Sequence, residues 1–321
     1  EIRNMVHGKD TTWQVIAGGA VLGTAALTFW VVRSAGYLHK VCRKHRNFGV
    51  VITGSTRGLG RAMAEQFLSY GDRVMISGRD PLAVQKVVEE LRAKLEHEDS
   101  TIDSSEVVFG QACDVRNPDA VESLASKATE QLQQIDIWVN NAGVTQSTKV
   151  GIDETKVEDI QGVVETNLLG TAYGCRAAIR SMKSEGNSTG TIFNVDGSGS
   201  RGNATPFSAA YGLSKAAIPQ LTKSLSKETK DTKIGVHTIS PGMVTTDLLL
   251  KGNLEKKSAL RIFNILAERP QTAAEWLVPR MRGVADEHRT GSRYIRYLTP
   301  PGVAWRFVTA PWRRNRIIKV E

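Results

Sequence analysis

The stretch TGSTRGLG, residues 53–60, joins two segments of different pattern and decides the fold. Before it, FGVVITG (residues 48–54) is a short apolar run rich in valine and isoleucine, which is typical of a buried strand. After it, helical spacing continues to a glycine stop at Gly71. A glycine-rich turn between strand and helix lets the backbone approach a pyrophosphate at the helix N-terminus. The turn therefore predicts a dinucleotide site, with the spacing G-x-x-x-G-x-G instead of the commoner G-x-G-x-x-G.

The alternation of strands and helices continues beyond this turn. RVMIS (residues 73–77), VVFGQACD (107–114) and IDIWVNNAG (135–143) are strand candidates separated by helical stretches. This repetition predicts an α/β fold with a doubly wound parallel sheet. Ligands bind such sheets beyond the carboxyl ends of the strands, where Asp114 and Asn141 are expected.

The end of the second strand, SGRD at residues 77–80, bears on the choice of nucleotide. An NAD site usually has an acid there that bonds the ribose 2′-hydroxyl, but Ser77 holds the expected position. Arg79 is close by and Arg57 lies in the glycine turn, and two guanidiniums favour a 2′-phosphate. We therefore predict NADPH, with NADH possible because of Asp80. That carboxylate could instead cap the next helix directly before Pro81.

A second motif, AAYGLSKAA at residues 209–217, sets Tyr211 four residues before Lys215. On a helix both side chains lie on one face. The pair could be a contact on a solvated surface, or a phenol beside an ammonium that acts as a proton donor. A phenol with a pKa of about 10 is a poor proton-transfer partner near neutral pH. A nearby ammonium is expected to lower that pKa.

The composition sets outer bounds. The chain has 321 residues, which is enough for one large α/β domain with additions, and its formal net charge is +9. Cys42, Cys113 and Cys175 are scattered and show neither a disulfide framework nor zinc spacing, so we predict no metal.

The N-terminal region carries a candidate membrane segment. Residues 13–32, WQVIAGGAVLGTAALTFWVV, contain no charge and would reach roughly 30 Å as a helix, the thickness of a bilayer core. The basic run RSAGYLHKVCRKHR follows at residues 33–46. The pattern predicts a transmembrane anchor with the next domain on the cytoplasm-equivalent side. A signal peptide and a buried amphipathic helix are the alternatives.

TGSTRGLG, NNAG (residues 140–143) and YGLSK (211–215) occur in this order, and residues 47–300 resemble the short-chain dehydrogenase/reductase family. The resemblance implies a Rossmann-type sheet, a nicotinamide cofactor and hydride transfer to a carbonyl. It implies that Tyr211 and Lys215 are catalytic and that Asn167 positions the lysine through water. The cofactor-binding positions that it implies are Thr53, Gly54, Ser55, Thr56, Arg57, Gly58, Leu59, Gly60, Arg79, Asp114, Val115, Asn141, Ala142, Gly143, Tyr211, Lys215, Pro241, Gly242, Val244 and Thr246.

The family's catalytic serine has no simple match. The usual fifth strand ends with an asparagine, an apolar residue and two serines, whereas FNVDGSGS at residues 193–200 has Asp196 and Gly197 in the serine positions. Counting back from Tyr211 gives Ser198 instead, so the loop is expected to carry an extra residue. We predict Ser198, and Ser200 stays open because similar reductases often have alanine at the position of Ser198. Asp196 could be a loop cap or a substrate contact.

A narrower resemblance is carried by residues 192–200, 222–228, 239–250, 264–282 and 294–299. These stretches are similar to the plant and algal chlorophyll b reductases, a plastid subgroup of the family. The resemblance implies reduction of the 7-formyl group of chlorophyll b or chlorophyllide b to hydroxymethyl, during conversion of chlorophyll b to a and breakdown of the light-harvesting complex. It implies a chloroplast thylakoid location with the catalytic domain on the stromal side, and pairing with itself or a related reductase.

Two further segments extend the domain plan of anchor and linker (1–46), reductase domain (47–300) and basic aromatic extension (301–321). Residues 244–269 read as an amphipathic substrate lid, whose leucines could equally be core. The extension mixes tryptophans and arginines, which suits an anionic lipid surface, while an ordinary packed tail is the alternative and nucleic acid is not expected. A reductase of a lipid carbonyl, such as 3-ketosphinganine or a 3-oxoacyl chain, is the rival function, and a scaffold without turnover is the rival class.

Overall fold

The computed structural model describes residues 47–184, 189–250 and 257–319. Seven strands form one parallel sheet in the order β3-β2-β1-β4-β5-β6-β7. The Rossmann-type parallel α/β sheet is thereby confirmed. The strands are β1 (Gly49–Ile52), β2 (Arg73–Gly78), β3 (Val108–Ala112), β4 (Ile137–Asn140), β5 (Thr189–Val195), β6 (Lys233–Ser240) and β7 (Tyr294–Arg296).

Helices cover both faces of the sheet. They are α1 (Gly58–Leu68), α2 (Pro81–Glu98), α3 (Pro118–Leu132), α4 (Val157–Val164), α5 (Gly170–Ser184), α6 (Ala209–Glu228), α7 (Asp247–Leu250), α8 (Lys257–Leu266), α9 (Pro270–Asp286) and α10 (Pro300–Val308). One apolar core lies under α1, α2 and α9, and a second lies under α3, α5 and α6. Successive strand residues supply both cores, since Val50 and Ile52 enter the first and Val51 enters the second.

The strand order reverses between β1 and β4, which pair in parallel. This is the topological switch point of a doubly wound sheet, and ligands bind in the crevice outside it. The TGSTRGLG turn leaves β1 there and residues 140–143 leave β4. The fold thus brings the two motifs together from opposite sides of the crevice.

Three segments differ from the regular pattern of strands and helices in sequence or in structure. The predicted membrane anchor at residues 13–32 lies outside the described residues, and none of the described helices is long and apolar enough to cross a membrane. A short π-helical stretch, Glu165–Leu169, joins α4 to α5. Helix α6 runs from Ala209 to Glu228 and continues through Pro219.

Candidate active site

Close packing explains the glycines of the 53–60 turn. Gly54 and Gly58 have positive φ angles of 64° and 58°, which favour glycine. At Gly60 a Cβ would overlap the carbonyl of Gly54 and would lie 2.5 Å from the Asn141 amide nitrogen. The turn therefore brings bare backbone to the edge of the crevice.

Asn141 and Thr53 brace this turn from the neighbouring strand. The Asn141 amide donates to the carbonyls of Thr53 at 2.9 Å and Gly54 at 3.0 Å. In return, the Thr53 hydroxyl accepts from the backbone N–H groups of Asn141 and Ala142, both at 3.1 Å. These bonds fix the turn before any ligand arrives.

The N-terminus of α1 is open to an anion. The helix begins at Gly58, its N-cap Arg57 makes no side-chain capping bond, and its first turn has no acidic residue. The first N–H groups and the positive end of the helix dipole therefore face the crevice without a competing carboxylate. The bare glycine cradle and this helix end fit the pyrophosphate of a dinucleotide.

The end of β2 corrects the assignment of Ser77 to the ribose position. Ser77 is fully buried and its backbone pairs with that of Ser55, because the strand continues to Gly78. Arg79 comes next, is exposed and lines the crevice. Asp80 caps α2 by accepting from the Leu82 N–H at 3.0 Å, as the alternative interpretation had it.

Two further cofactor candidates border the same crevice. Asp114 holds Arg116 through a two-pronged contact with bonds of 3.0 and 2.6 Å, which lowers the pKa of the carboxyl group. After β6, the methyl group of Thr246 would lie 3.1 Å from a Cβ on Gly58, so this loop closes onto the glycine turn. Gly242 turns the loop with a φ of 74°, and buried Val244 pairs with Glu268.

Tyr211 and Lys215 share one face of α6, as the spacing predicts, but the surface-pair alternative fails because Lys215 is only 4% exposed. The Lys215 ammonium donates to the Val195 carbonyl at 3.0 Å and lies 5.9 Å from the centroid of the Tyr211 ring. Burial lowers the pKa of Lys215 to about 8.

The pKa of Tyr211 departs from the sequence-based expectation. Burial, and then the carboxylate of Asp196, raise this pKa above its ordinary value, whereas we expected Lys215 to lower it. The lysine is directed at the Val195 carbonyl instead of the phenol, so its stabilisation of a phenolate is weak in this geometry. Tyr211 therefore keeps its proton at neutral pH.

Asn167 lies in the π-helical stretch between α4 and α5, a distortion that often marks functional sites. Its amide bonds both backbone groups of Val144, at 2.8 and 2.9 Å, and donates to the Ser214 hydroxyl at 3.0 Å. Its Oδ1 and the Lys215 Nζ lie 3.4 and 3.8 Å from the point that a Cβ on Gly143 would occupy. They face the same small space, which suits a bridging water.

The loop after β5 positions the two serine candidates differently. A Cβ on Gly197 would overlap the Tyr211 hydroxyl, so position 197 is the one that lies against the phenol. Ser198 is exposed beside it. Ser200 is half-buried and donates to Asp196 Oδ2 at 3.0 Å.

Asp196 accepts hydrogen bonds from hydroxyl groups that the sequence alone did not identify as its partners. The Tyr294 hydroxyl, from β7, donates to Asp196 Oδ2 at 2.6 Å, and Ser240 from the end of β6 contributes another side-chain hydrogen bond. Burial raises the pKa of this carboxyl group. No local signal joins Asp196 to Tyr294, because they are 98 positions apart and meet only through the pairing of β5, β6 and β7.

One cleft of about 2010 Å³ contains the cofactor turn, Tyr211, Lys215 and the lid. Ordinary small-molecule sites reach about 1000 Å³. The predicted lid consists here of α7 and α8. Leu248, Leu249, Ile262 and Phe263 line the cleft, while buried Leu260 and Leu266 belong to the core. The lid therefore contributes apolar side chains to the cleft that Tyr211 and Lys215 also line.

The C-terminal segment is held onto the lid by a buried carboxylate. Glu268 pairs with Arg306 at 2.9 Å, Arg313 at 3.1 Å and Arg316 at 2.7 Å. Arg306 also donates to the Leu266 carbonyl at 2.6 Å, at the C-terminus of α8. Three of the four arginines in the C-terminal extension are thus paired with a carboxylate of the protein itself. This pairing favours the alternative of a packed tail.

The arrangement as a whole is that of a nicotinamide-dependent oxidoreductase, with a glycine cradle, a buried lysine beside a tyrosine, and a shared cleft. A sequence model of the short chain dehydrogenase family matches residues 49–257. The chain belongs to this family and is an oxidoreductase. Within the described ranges, no group of three or more histidine, cysteine or acidic side chains could hold a metal ion.

Two similar proteins are named as chlorophyll(ide) b reductases. The chain is 40% identical over 312 residues to the probable chlorophyll(ide) b reductase NYC1, chloroplastic, of Oryza sativa subsp. japonica, covering 95% of this chain and 59% of the relative. It is 40% identical over 255 residues to chlorophyll(ide) b reductase NOL of Arabidopsis thaliana, covering 78% and 70%. The chain thus spans about three fifths of the length of the first of these relatives.

A solved structure supports the fold and the class of cofactor. The 3-ketoacyl-(acyl-carrier-protein) reductase of Brucella melitensis, crystallised with NADH, has a TM-score of 0.65 and 25% identity. The match covers 77% of this chain and 95% of that one.

Proposed function

We propose that this protein reduces the 7-formyl group of chlorophyll b or chlorophyllide b to a hydroxymethyl group with NADPH. The observation that carries the proposal is the large cleft that Tyr211 and the apolar residues of the lid line together. The relatives named chlorophyll(ide) b reductase add support from outside the structure. A formyl group on a broad apolar ring requires both a proton donor and an apolar wall, and this cleft has the two together.

Different segments of the protein bind different parts of the dinucleotide. Gly54, Gly58 and Gly60 expose backbone to the pyrophosphate at the start of α1, and Asn141 keeps their turn rigid. The loop at residues 241–246 lies beside this pyrophosphate turn, because Thr246 meets Gly58, and we assign the nicotinamide end to the rest of this loop. When bound, the reduced nicotinamide supplies a hydride to the carbonyl carbon.

NADPH is favoured over NADH by the charges at the end of β2. Arg79 is exposed at the crevice, and Asp80, which could have bonded a ribose hydroxyl, is engaged as a helix cap. Arg57 lies at the turn and pairs with Asp247 at 3.2 Å, with both side chains more than three quarters exposed. Such an exposed pair is weak, so Arg57 is available to a 2′-phosphate.

Tyr211 acts as the general acid. As the carbonyl carbon is reduced, its oxygen becomes an alkoxide that must take up one proton, and the Tyr211 hydroxyl donates it. The raised pKa of Tyr211 keeps that proton in place until the alkoxide, a stronger base, has formed. The remaining phenolate gains only weak stabilisation from the Lys215 ammonium, which lies 5.9 Å from the centroid of the Tyr211 ring, and Asn167 orders the water through which the proton is replaced.

The tail and the N-terminal segment support a location at the thylakoid membrane. The exposed apolar residues of α10 recur at helical spacing, with Trp305 64% and Val308 66% exposed, and Trp312 beyond them is 81% exposed. Arg314 and Lys319 lie at the same end of the chain and are exposed. An apolar helix face with cationic neighbours suits an anionic lipid surface.

We propose that this tail face rests on the stromal side of the thylakoid membrane. Contact with the light-harvesting complex, and pairing with a second copy or a related reductase, belong to the same proposal. Flotation with vesicles of anionic chloroplast lipids tests the lipid contact. Trp312→Ser is expected to lower recovery in the floating fraction, and equal recovery would overturn the role of the tail.

The test of the reaction is a turnover assay on detergent-solubilised protein with chlorophyll b and either NADPH or NADH. We expect 7-hydroxymethyl pigment, faster with NADPH, and its loss in Tyr211→Phe. Tyr173→Phe on α5, outside the cleft, is the matched control and is expected to retain activity. Absence of product, with NADPH still bound, would refute the proposal.

A second function is favoured by one observation, the structural likeness to a 3-ketoacyl-(acyl-carrier-protein) reductase. A lipid carbonyl would use the same proton donor and the same cofactor cradle, and an acyl chain could lie along the apolar lid. The assay therefore includes a 3-oxoacyl substrate and 3-ketosphinganine. Faster turnover of either one than of chlorophyll b would move the function to this class.

A further inference from the structure

The site lacks the side chain that usually stands beside the catalytic tyrosine. A Cβ on Gly197 would overlap the Tyr211 hydroxyl and would lie 3.2 Å from Lys215 Cγ. Any side chain at position 197 would therefore displace the phenol. The hydroxyl that shares the substrate oxygen with Tyr211 must then come from another position on the same loop.

Ser200 is the serine of this loop that is held in a fixed orientation. Its hydroxyl contacts Asp196 Oδ2 at 3.0 Å, and its N–H bonds the Gly197 carbonyl at 3.1 Å, which closes a turn around the glycine. Ser200 lines the cleft, and so does Ser198. Ser198 is exposed. Within the described residues 47–184, 189–250 and 257–319, no hydrogen bond orients its hydroxyl group.

Asp196 is in turn held by residues from the last two strands. It is 4% exposed, accepts from the Tyr294 hydroxyl at 2.6 Å and shares a hydrogen bond with Ser240. The three hydroxyl groups come from the β5 loop, the end of β6 and β7, so the carboxyl group connects three segments that line the cleft.

We propose that Ser200 is the hydroxyl that bonds the substrate oxygen, and that Asp196 and Tyr294 are positioning residues that orient it. This inference rests on the proposed carbonyl reduction and replaces Ser198 as the third catalytic residue. The Ser200 hydroxyl donates to Asp196 Oδ2 in the structure. A serine hydroxyl rotates about its C–O bond, so Ser200 can turn this O–H from Asp196 to the substrate oxygen while its backbone N–H stays bonded to the Gly197 carbonyl.

The first experiment compares Ser200→Ala with Ser198→Ala, the variant of the rival serine, in the same protein and with chlorophyll b and NADPH. Loss of one hydrogen-bond donor to a developing oxyanion typically lowers kcat by about 100-fold or more. We expect that loss for Ser200→Ala, with the Kd for NADPH unchanged, and less than about 3-fold for Ser198→Ala. The opposite ranking, or near wild-type kcat in both variants, would overturn the proposal.

The second experiment separates positioning from folding. Asp196→Ala is expected to lower kcat as much as Ser200→Ala, whereas Asp196→Asn keeps an oxygen for Tyr294 and a donor for Ser200 and is expected to recover about 10-fold of that loss. Tyr294→Phe is expected to lower kcat with little change in KM. A variant that loses NADPH binding has lost its fold and is replaced by the asparagine variant for this test.

Turnover by the wild-type protein separates failure of the proposed function from failure of the Ser200 assignment. If wild-type protein reduces neither chlorophyll b nor the lipid carbonyls, the proposed function fails. If wild-type protein turns over and Tyr211→Phe does not, while Ser200→Ala and Asp196→Ala remain active, the proposed function stands and this inference falls.

Discussion

Replacing Glu268 with glutamine is expected to loosen the lid from the C-terminal segment. The Glu268 side chain is 9% exposed and is surrounded by three guanidiniums, whose side chains are 14%, 20% and 30% exposed. Removing one member of a buried ion pair typically costs about 3–5 kcal/mol, because the partner charge stays behind uncompensated. Here the arginines are partly hydrated and keep carbonyl acceptors at residues 264–267, so we expect about 2 kcal/mol.

Thermal unfolding measures this loss directly. For a domain of this size, about 2 kcal/mol lowers Tm by roughly 4–8 °C. Because α8 forms the apolar wall of the cleft, the KM for chlorophyll b is also expected to rise, while the Kd for NADPH stays unchanged. Glu275→Gln, at an exposed position on α9, is the matched control.

The result that would refute the reasoning is a Tm for Glu268→Gln equal to that of the wild type. The arginines would then gain as much from water as from the carboxylate, and the tail would contribute nothing to the lid. A lower Tm with an unchanged KM would keep the structural contact but separate it from the substrate wall.

Three further predictions concern the cleft itself. Gly197→Ser restores a serine at the family position, yet we expect at least a 100-fold loss of kcat in steady-state kinetics, because its Cβ would displace the Tyr211 hydroxyl; retained activity would contradict the packing. Burial lowers the pKa of Lys215 to about 8, so its ammonium is lost as pH rises through that value and kcat/KM should fall above about pH 8; a rate that stays level to pH 10 would refute this. The double variant Arg57→Ala and Arg79→Ala should raise the KM for NADPH at least 10-fold and leave that for NADH nearly unchanged, and an equal rise for both would remove the arginines from nucleotide choice.

The parts of the site that sequence predicts are those fixed by local geometry. The glycine turn, the helix that follows it and the common face of Tyr211 and Lys215 depend on residues within a few positions of one another. The strand candidates also emerge from local pattern, since strands buried on both faces read as continuous apolar runs. Sheet order then brings the ends of β1 and β4 together at the crevice.

Sequence reasoning fails where partners are distant along the chain. Tyr294 reaches Asp196 through strand pairing, and Glu268 gathers arginines that lie 38 to 48 positions later. The predicted direction of the Tyr211 pKa shift is wrong for the same kind of reason. It depends on where the Lys215 ammonium points and on a carboxylate from another loop, and helical spacing carries neither fact.

The Asp196 carboxylate beside Tyr211, the proposed proton donor, also favours reduction over oxidation. Reduction starts with a protonated Tyr211, whereas oxidation of the alcohol would start with its phenolate. Burial and Asp196 both hold the proton on the phenol, so at neutral pH fewer than about 1 in 1000 molecules carry the phenolate, given an ordinary pKa of about 10 that is raised further. The same residue that orients Ser200 therefore keeps Tyr211 protonated for reduction, and removing its negative charge in Asp196→Asn should lower the pH at which alcohol oxidation becomes measurable.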